Sequence, residues 1–508
     1  MSRKIVSLLL ALTLILSVAV IPTAMADDTY ELTVMWVGNG DSDRDAAVSA
    51  ALSEYLTEII GCTIDFSIYG WDITQTALPA LQAGEKIDVI FTANWLHYAD
   101  CVSQNLFLPL NDLLASDGQD ILSSLNPLFL TGAAIDGVNY AIPTNKELAV
   151  PDGWLVNMEA AAEVGLTEDM LADMSTCEEL EPYLAAYKAL HPETYPYLME
   201  GCFWPDEYWY RTDELGTGLQ INPVSQLNYL NEDGTYDSAV YSVFEDQRMI
   251  DHLTLMNKWY EAGYIDPESD LTTYEHRATF TTGDWLFYTQ PLKGNNIKAA
   301  EMVQSYGSDE MKAALAAGET PVGEIYGSQP KVASEFTGSM LAIPITSEAP
   351  EKAMQFINLL HSDKTLINMM LYGIEGEDWH LNDDGFVVID NTSWNGAFGG
   401  AWTDGNTSLQ YVQVGEDPNK NALLISFADD AITLPNAGFT FDTTVIETEL
   451  AAVKNVTAKY HNALMCGKVA PDDPDSGVAA YVADLKAAGM EAIAEAYTEQ
   501  YEAWLASK

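Results

Sequence analysis

The sequence predicts an α/β protein of two lobes joined by a hinge, and three observations carry that reading. Strands alternate with helices from Leu32 onward, as in a parallel sheet built with right-handed crossovers. A second strand-then-helix unit stands more than 300 residues later, at Thr337–Gly376, which implies that the chain leaves its first domain and returns to it. With residues 1–26 removed, 482 residues remain, more than one ordinary core, and no long Pro/Gly linker divides them. Two lobes joined by several crossings form a hinge, and a hinge implies a ligand held between them.

Element by element, Leu32–Val37 reads as a buried strand, and Ala46–Ile60 carries helical spacing through Ala47, Ala50, Ala51, Leu52, Leu56 and Ile59. Thr63–Ile68 is a second strand, Ile73–Gln82 a second helix ended by Gly84, and Ile87–Phe91 a third strand. Asp136-Gly137 marks a tight turn before an extended Tyr140–Pro143, and Pro151–Asn157 restarts as an extended run. That stretch reads as a crossing between lobes. In the late unit Met340–Ile343 is a strand, Ser347 the helix cap, and Pro350 a first-turn proline. Ala353, Phe356, Ile357 and Leu360 then make one buried face. The end of this unit at Glu375 marks a further crossing.

The N-terminus has a basic start (Arg3, Lys4), an apolar run, a break at Pro22 and small residues at Ala24 and Ala26. This reads as a signal peptide cleaved after Ala26, against the alternative of an uncleaved anchor. Cleavage implies a secreted, cell-surface protein, and there is no cysteine near the site to carry a lipid. The chain so processed has 20 basic and 76 acidic residues, a net charge of −56. Such a surface repels nucleic acid, anionic membranes and phosphorylated ligands; the same charge is equally compatible with solubility alone.

Five scattered cysteines (Cys62, Cys101, Cys177, Cys202, Cys466) make no C-x-x-C pair; a Cys177–Cys202 bridge is conceivable, with buried free thiols the main expectation. The histidines form no metal pattern. Asp41, Asp43 and Asp45 resemble a calcium loop superficially, but Ala46 and Leu52 stand where it needs glycine and glutamate, and a helix cap is the plain alternative. No metal and no cofactor are expected.

LQAGEKIDVIFTANW, LFLPLNDLL, DGVNYAIPTNKEL and AIPITSEAPEKAMQFINLL…YGIEG, followed by FTFDTTVIETELAAV and LKAAGMEAIAEAYTEQYEAW, occur in the order found in a known family. The chain resembles the extracellular solute-binding proteins of bacterial carbohydrate ABC importers, nearest to the LipO-like subgroup with a C-terminal extension. The resemblance implies a periplasmic-binding-protein-like (type II) fold, each lobe a central sheet flanked by helices. It places residues 27–147 and 334–375 in lobe 1, and 148–333 and 376–508 in lobe 2, with a helical extension over about 440–508. Many relatives are lipoproteins, whereas this chain has no lipobox cysteine.

A sugar needs flat aromatic platforms and a polar rim. Trp36, Trp71, Trp95, Trp204, Trp209, Trp285, Trp394 and Trp402 are candidate platforms, each with core packing as the alternative; Trp71, Trp95 and Trp402, in polar loops, rank above Trp36 in its apolar run. Asp41, Asn94, Asn145, Lys146, Glu147 and Glu375 are candidate rim groups; for Lys146 an ion pair across the hinge is the alternative. The expected function is a non-catalytic, monomeric receptor that captures a neutral oligosaccharide and hands it to a membrane ABC permease. A receptor for a peptide or a cationic solute such as a polyamine is the rival, and a secreted glycoside hydrolase a weaker one, since no nucleophile motif is present.

Overall fold

The computed structural model describes residues 29–39, 42–174, 176–199, 210–212, 224–230, 236–271, 275–325, 331–391, 394, 401–439 and 441–507. The leader region, Asp41, Cys202, Trp204 and Trp209 lie outside the described residues. Fourteen strands are described, in chain order: β1 (Tyr30–Trp36), β2 (Cys62–Ile68), β3 (Val89–Thr92), β4 (Ala141–Pro143), β5 (Asp152–Asn157), β6 (Tyr197–Leu198), β7 (Tyr210–Thr212), β8 (Val224–Leu230), β9 (Tyr236–Ser242), β10 (Phe287–Pro291), β11 (Val322–Ile325), β12 (Met340–Ala342), β13 (Trp379–Leu381) and β14 (Val387–Ile389).

They form two principal sheets. The first has the order β2-β1-β3-β12-β4. β1 pairs in parallel with both β2 and β3, as the alternation of strands and helices requires, while β12 runs antiparallel between β3 and β4. The second has the order β11-β5-β10-β6, with β5 antiparallel to both neighbours. A strand from residue 340 therefore sits among strands from residues 30–143, and the return of the chain to its first sheet is literal. β7, β8 and β9 make a separate antiparallel sheet, and β13–β14 a hairpin.

Local chemistry explains the punctuation. Gly84 ends the helix Ala77–Ala83 in the left-handed conformation, its N–H bonding Ala80 and Leu81 carbonyls. Asp136 and Gly137 both have positive φ (51° and 79°), which gives the tight two-residue turn its twist. The helix Pro350–Leu360 buries Ala353, Phe356, Ile357 and Leu360 completely, as the spacing predicts.

Ser347 does not cap that helix. Ala349 occupies the cap position, and the Ser347 hydroxyl instead donates to Asp88 Oδ1 at 2.7 Å. Asp88, fully buried just before β3, also accepts from the Tyr30 hydroxyl (2.7 Å) and Thr33 N (2.9 Å), and faces Lys86 Nζ at 3.1 Å. One carboxylate thus ties β1, β3 and the late unit together. Asp88→Ala is expected to cost about 3–5 kcal/mol in a urea melt, because it strands several buried donors at once; a loss below about 1 kcal/mol would show that water replaces the carboxylate.

Two large cores correspond to the two sheets. The first includes Trp394, and Trp402, Ala428, Ala431 and Ala437 pack against it, whereas Phe439 and Phe441 already belong to the second. The chain therefore does not leave the first core at Glu375. That residue is exposed beside the β13–β14 hairpin, and Trp394 returns to the first core, set against Phe66 with its N–H on Met370 O, while Gly415 and Phe427 approach Leu315 and Gly294 of the segments that follow β10. The helices Glu447–Met465, Val478–Ala487 and Met490–Ser507 build on the second core.

Three segments run side by side between the sheets. Ala149 bridges Ala333 in antiparallel register, and Val332 bridges Ile432 in parallel. The first follows β4, the second precedes β12, and the third passes at Ile432.

Candidate functional site

In a parallel sheet the loops at the strands' carboxyl ends form a crevice. Here β12, being antiparallel, brings its amino end to that same edge. Asn94 N, just past β3, donates to Thr337 O (2.9 Å), and Thr144 N, just past β4, donates to Ser339 O (2.9 Å). Loops from β2, β3, β4 and β12 therefore converge at one edge, beside the connector.

Three tryptophans gather there. Trp71 follows β2 and is 43% exposed; Trp95 follows β3 and Trp402 arrives from far along the chain, both half-buried. Trp402 stacks on Trp71 at 6.4 Å and 24°, lies 6.2 Å from Trp95, and meets Phe91 edge-on at 5.8 Å. The indole N–H groups are anchored: Trp71 donates to Asn39 Oδ1 (2.9 Å) and Trp95 to Gly338 O (2.9 Å). Ser339 Oγ donates to Trp402 O at 2.9 Å. Two of the rings are thus fixed at their polar edges, and all three residues keep part of their surface exposed.

The other candidate tryptophans among the described residues, Trp36, Trp285 and Trp394, are in cores. Trp36 is fully buried, its N–H on Thr403 Oγ1 (3.2 Å). Trp285 stacks on Phe280 at 5.1 Å with its N–H on the Phe280 carbonyl, and Trp394 is equally buried. None of these three offers a ring face for a ligand. Glu375 lies on the exposed turn before β13, and no ring or hydrogen-bond contact ties it to the three tryptophans among the described residues.

Asn145, Lys146 and Glu147 are all buried in the connector. Asn145 holds the segment that carries Trp402: its N–H donates to Gly405 O (2.7 Å), its Nδ2 to Asn406 Oδ1 (3.0 Å), and its carbonyl accepts from Thr407. Lys146 lies between Glu147 (3.2 Å) and Glu335 (2.8 Å), which is the ion-pair alternative. Glu147 Oε2 has no hydrogen-bond partner among the described residues.

The chain of charge continues. Lys293, just past β10, reaches Glu147 at 4.0 Å and Glu301 at 3.0 Å, and Lys420 reaches Glu301 at 3.4 Å and Glu416 at 2.5 Å. Burial alone would lower the lysine pKa values, but the flanking carboxylates hold all three above the ordinary value. Burial likewise would raise Glu147 and Glu301, yet the neighbouring ammonium groups outweigh it; Glu301 falls to about 2. Sequence reading found Lys146 and Glu147 but not Lys293, Glu301, Glu335, Glu416 or Lys420. Among the described residues no His/Cys/Asp/Glu group could hold a metal ion. Cys62 and Cys101 are buried free thiols.

Two lobes, a triple connector and an aromatic edge beside it define a protein that captures a ligand between domains. The chain belongs to the family described as bacterial extracellular solute-binding protein, which matches residues 50–373; a domain of unknown function, DUF3502, matches residues 435–506. This is a solute-binding, non-enzymatic family. A Streptococcus pneumoniae protein described as a carbohydrate ABC transporter substrate-binding protein is 24% identical over 96% of this chain and 93% of its own. The N-glycan transport solute binding protein NgtS of S. pneumoniae has a similar fold, with TM-score 0.76 and 21% identity over 94% of this chain and 99% of that one. An extracellular solute-binding protein from Bifidobacterium longum subsp. infantis gives TM-score 0.60 at 15% identity, covering 94% and 99%. Among the described residues no helix is long and apolar enough to cross a membrane.

Proposed function

We propose that this chain captures a neutral oligosaccharide between its lobes and delivers it to an ABC permease. The observation that carries the reading is the Trp71–Trp402–Trp95 cluster at the connector edge of the first sheet. Sugar rings present apolar C–H faces, and anchored indoles meet them at small entropic cost. Closure of the second lobe over the platform would bury the ligand from both sides. The pneumococcal relative's carbohydrate description and NgtS structures with Man1GlcNAc and Man5GlcNAc support the ligand class. The C-terminal DUF3502 match supports the LipO-like subgroup. We further propose a monomer cleaved after Ala26, with residues 27–147 and 334 to about 437 in lobe 1 and the remainder in lobe 2.

A thermal-shift screen of neutral oligosaccharides, peptides and polyamines tests this. A ligand at a hundred times its Kd stabilises by about 2.7 kcal/mol, a clear rise in Tm. Neutral oligosaccharides are expected to give that rise; a rise with peptides or polyamines alone would overturn the sugar assignment.

A further inference from the structure

A cavity of about 90 Å³ lies between the first lobe and the start of the C-terminal domain, walled by Tyr98, Phe336, Phe439 and Phe441 with Asn94 and Asn436. Asn436 is only 5% exposed, and its Oδ1 has no hydrogen-bond partner among the described residues. A buried acceptor left empty is costly, so its donor has to come from elsewhere. On another wall, Asn94 uses Oδ1 to accept from Trp95 N at 2.9 Å, and its Nδ2 donates to no partner among the described residues.

The cavity adjoins the platform. Asn94 precedes Trp95, and its N–H is bonded to the neighbouring wall residue Thr337. What fits is set by chemistry. A hydroxyl satisfies Asn436 Oδ1 and leaves the aromatic rings without a partner; an alkyl group does the reverse. A secondary amide with a methyl group satisfies both. Its trans geometry points N–H and C=O in opposite directions, so it needs an acceptor and a donor from separate residues. Asn436 Oδ1 and Asn94 Nδ2 supply them, and the volume accommodates the four heavy atoms of an acetamido group.

We propose that Asn436, Phe439 and Phe441, at the start of the domain of unknown function, form with Asn94 a subsite for the acetamido group of an N-acetylated sugar. The inference rests on the oligosaccharide reading and deepens it: a sugar stacked on Trp95 places its acetamido group in this cavity. It also gives the C-terminal domain a part in ligand recognition.

The test is titration calorimetry with N,N′-diacetylchitobiose and with cellobiose, the same disaccharide skeleton without acetamido groups. Wild-type protein is expected to prefer the acetylated sugar roughly 10–100-fold, since a site built around a polar group rejects the analogue lacking it. Asn436→Leu is expected to abolish that preference, chiefly by weakening the acetylated sugar, with the melting curve as the check on folding. Should the leucine variant not fold, Asn436→Ser serves, with the preference expected to fall at least fivefold. Equal binding of the two sugars by wild type, or an undiminished preference in the folded variant, overturns the subsite. Binding of neither disaccharide also overturns it, and the oligosaccharide reading then stands or falls separately on the wider glycan screen.

Discussion

Replacing Trp402 with alanine is expected to weaken oligosaccharide binding about 100-fold. Its ring is the centre of the cluster, touching Trp71, Trp95 and Phe91 at 5.8–6.4 Å, so its loss removes one platform and loosens two others. Central aromatic anchors of this kind account for about 2–4 kcal/mol each when truncated. Trp71 makes fewer ring contacts and is 43% exposed, so Trp71→Ala is expected to lose about tenfold in affinity with a Tm near wild type. Trp402→Phe, which keeps a flat face, should recover most of the binding. Calorimetry on the three variants decides the matter: Trp402→Ala binding within threefold of wild type would remove the platform from the account. Trp36→Ala is the structural contrast, because that ring is fully buried and its loss should appear in stability before affinity.

The first sheet was legible because its strands are short apolar runs bounded by glycine and polar loops, and its crossovers are helices of clear 3.6-residue period. The late return of β12 was legible for the same reason. Residues 377–437 were not. Their described parts hold a short hairpin, two single helical turns, one seven-residue helix and loops, so no periodicity marks which core they follow. Among the candidate tryptophans within the described residues, a polar loop after a strand singles out Trp71, Trp95 and Trp402, and these three keep exposed surface at one edge. The same criterion does not separate Trp394, which shares a Gly/Asn-rich stretch with Trp402 yet fills the core. The buried ion pairs are illegible for a different reason. A lysine in sequence looks like any solvated lysine, and Lys293 meets Glu147 across 146 residues through the topology alone.

The seven-residue charge chain makes the strongest prediction about stability. Glu335, Lys146, Glu147, Lys293, Glu301, Lys420 and Glu416 alternate in sign from the connector into the second lobe and back to the segment before the third crossing. The three lysines have side chains no more than 10% exposed, so each depends on its carboxylates for the solvation that water would give. Glu301 serves two of them. Glu301→Gln keeps the shape and removes the charge, leaving Lys293 and Lys420 with one partner each; the expected cost is about 3–5 kcal/mol. A replacement of the whole group by apolar residues would be far milder, because the penalty comes from the uncompensated charge. The pH dependence follows in sign. Glu301 binds its proton at about 2 in the folded protein, against roughly 4.3 for an unperturbed glutamate, so its contribution is complete above that value and disappears as pH falls toward 2. A shift of that size is on the order of 3 kcal/mol. Urea melts at pH 7, 4 and 2.5 should therefore show the gap between wild type and Glu301→Gln narrowing with acid. A gap that stayed constant through that range would mean that the carboxylate's charge is not what the lysines require. Because the chain joins the connector to the second lobe, the variant also separates two roles: if it holds one arrangement of the lobes, Glu301→Gln alters ligand affinity at pH 7 beyond what a Tm-matched core variant such as Ile357→Ala produces.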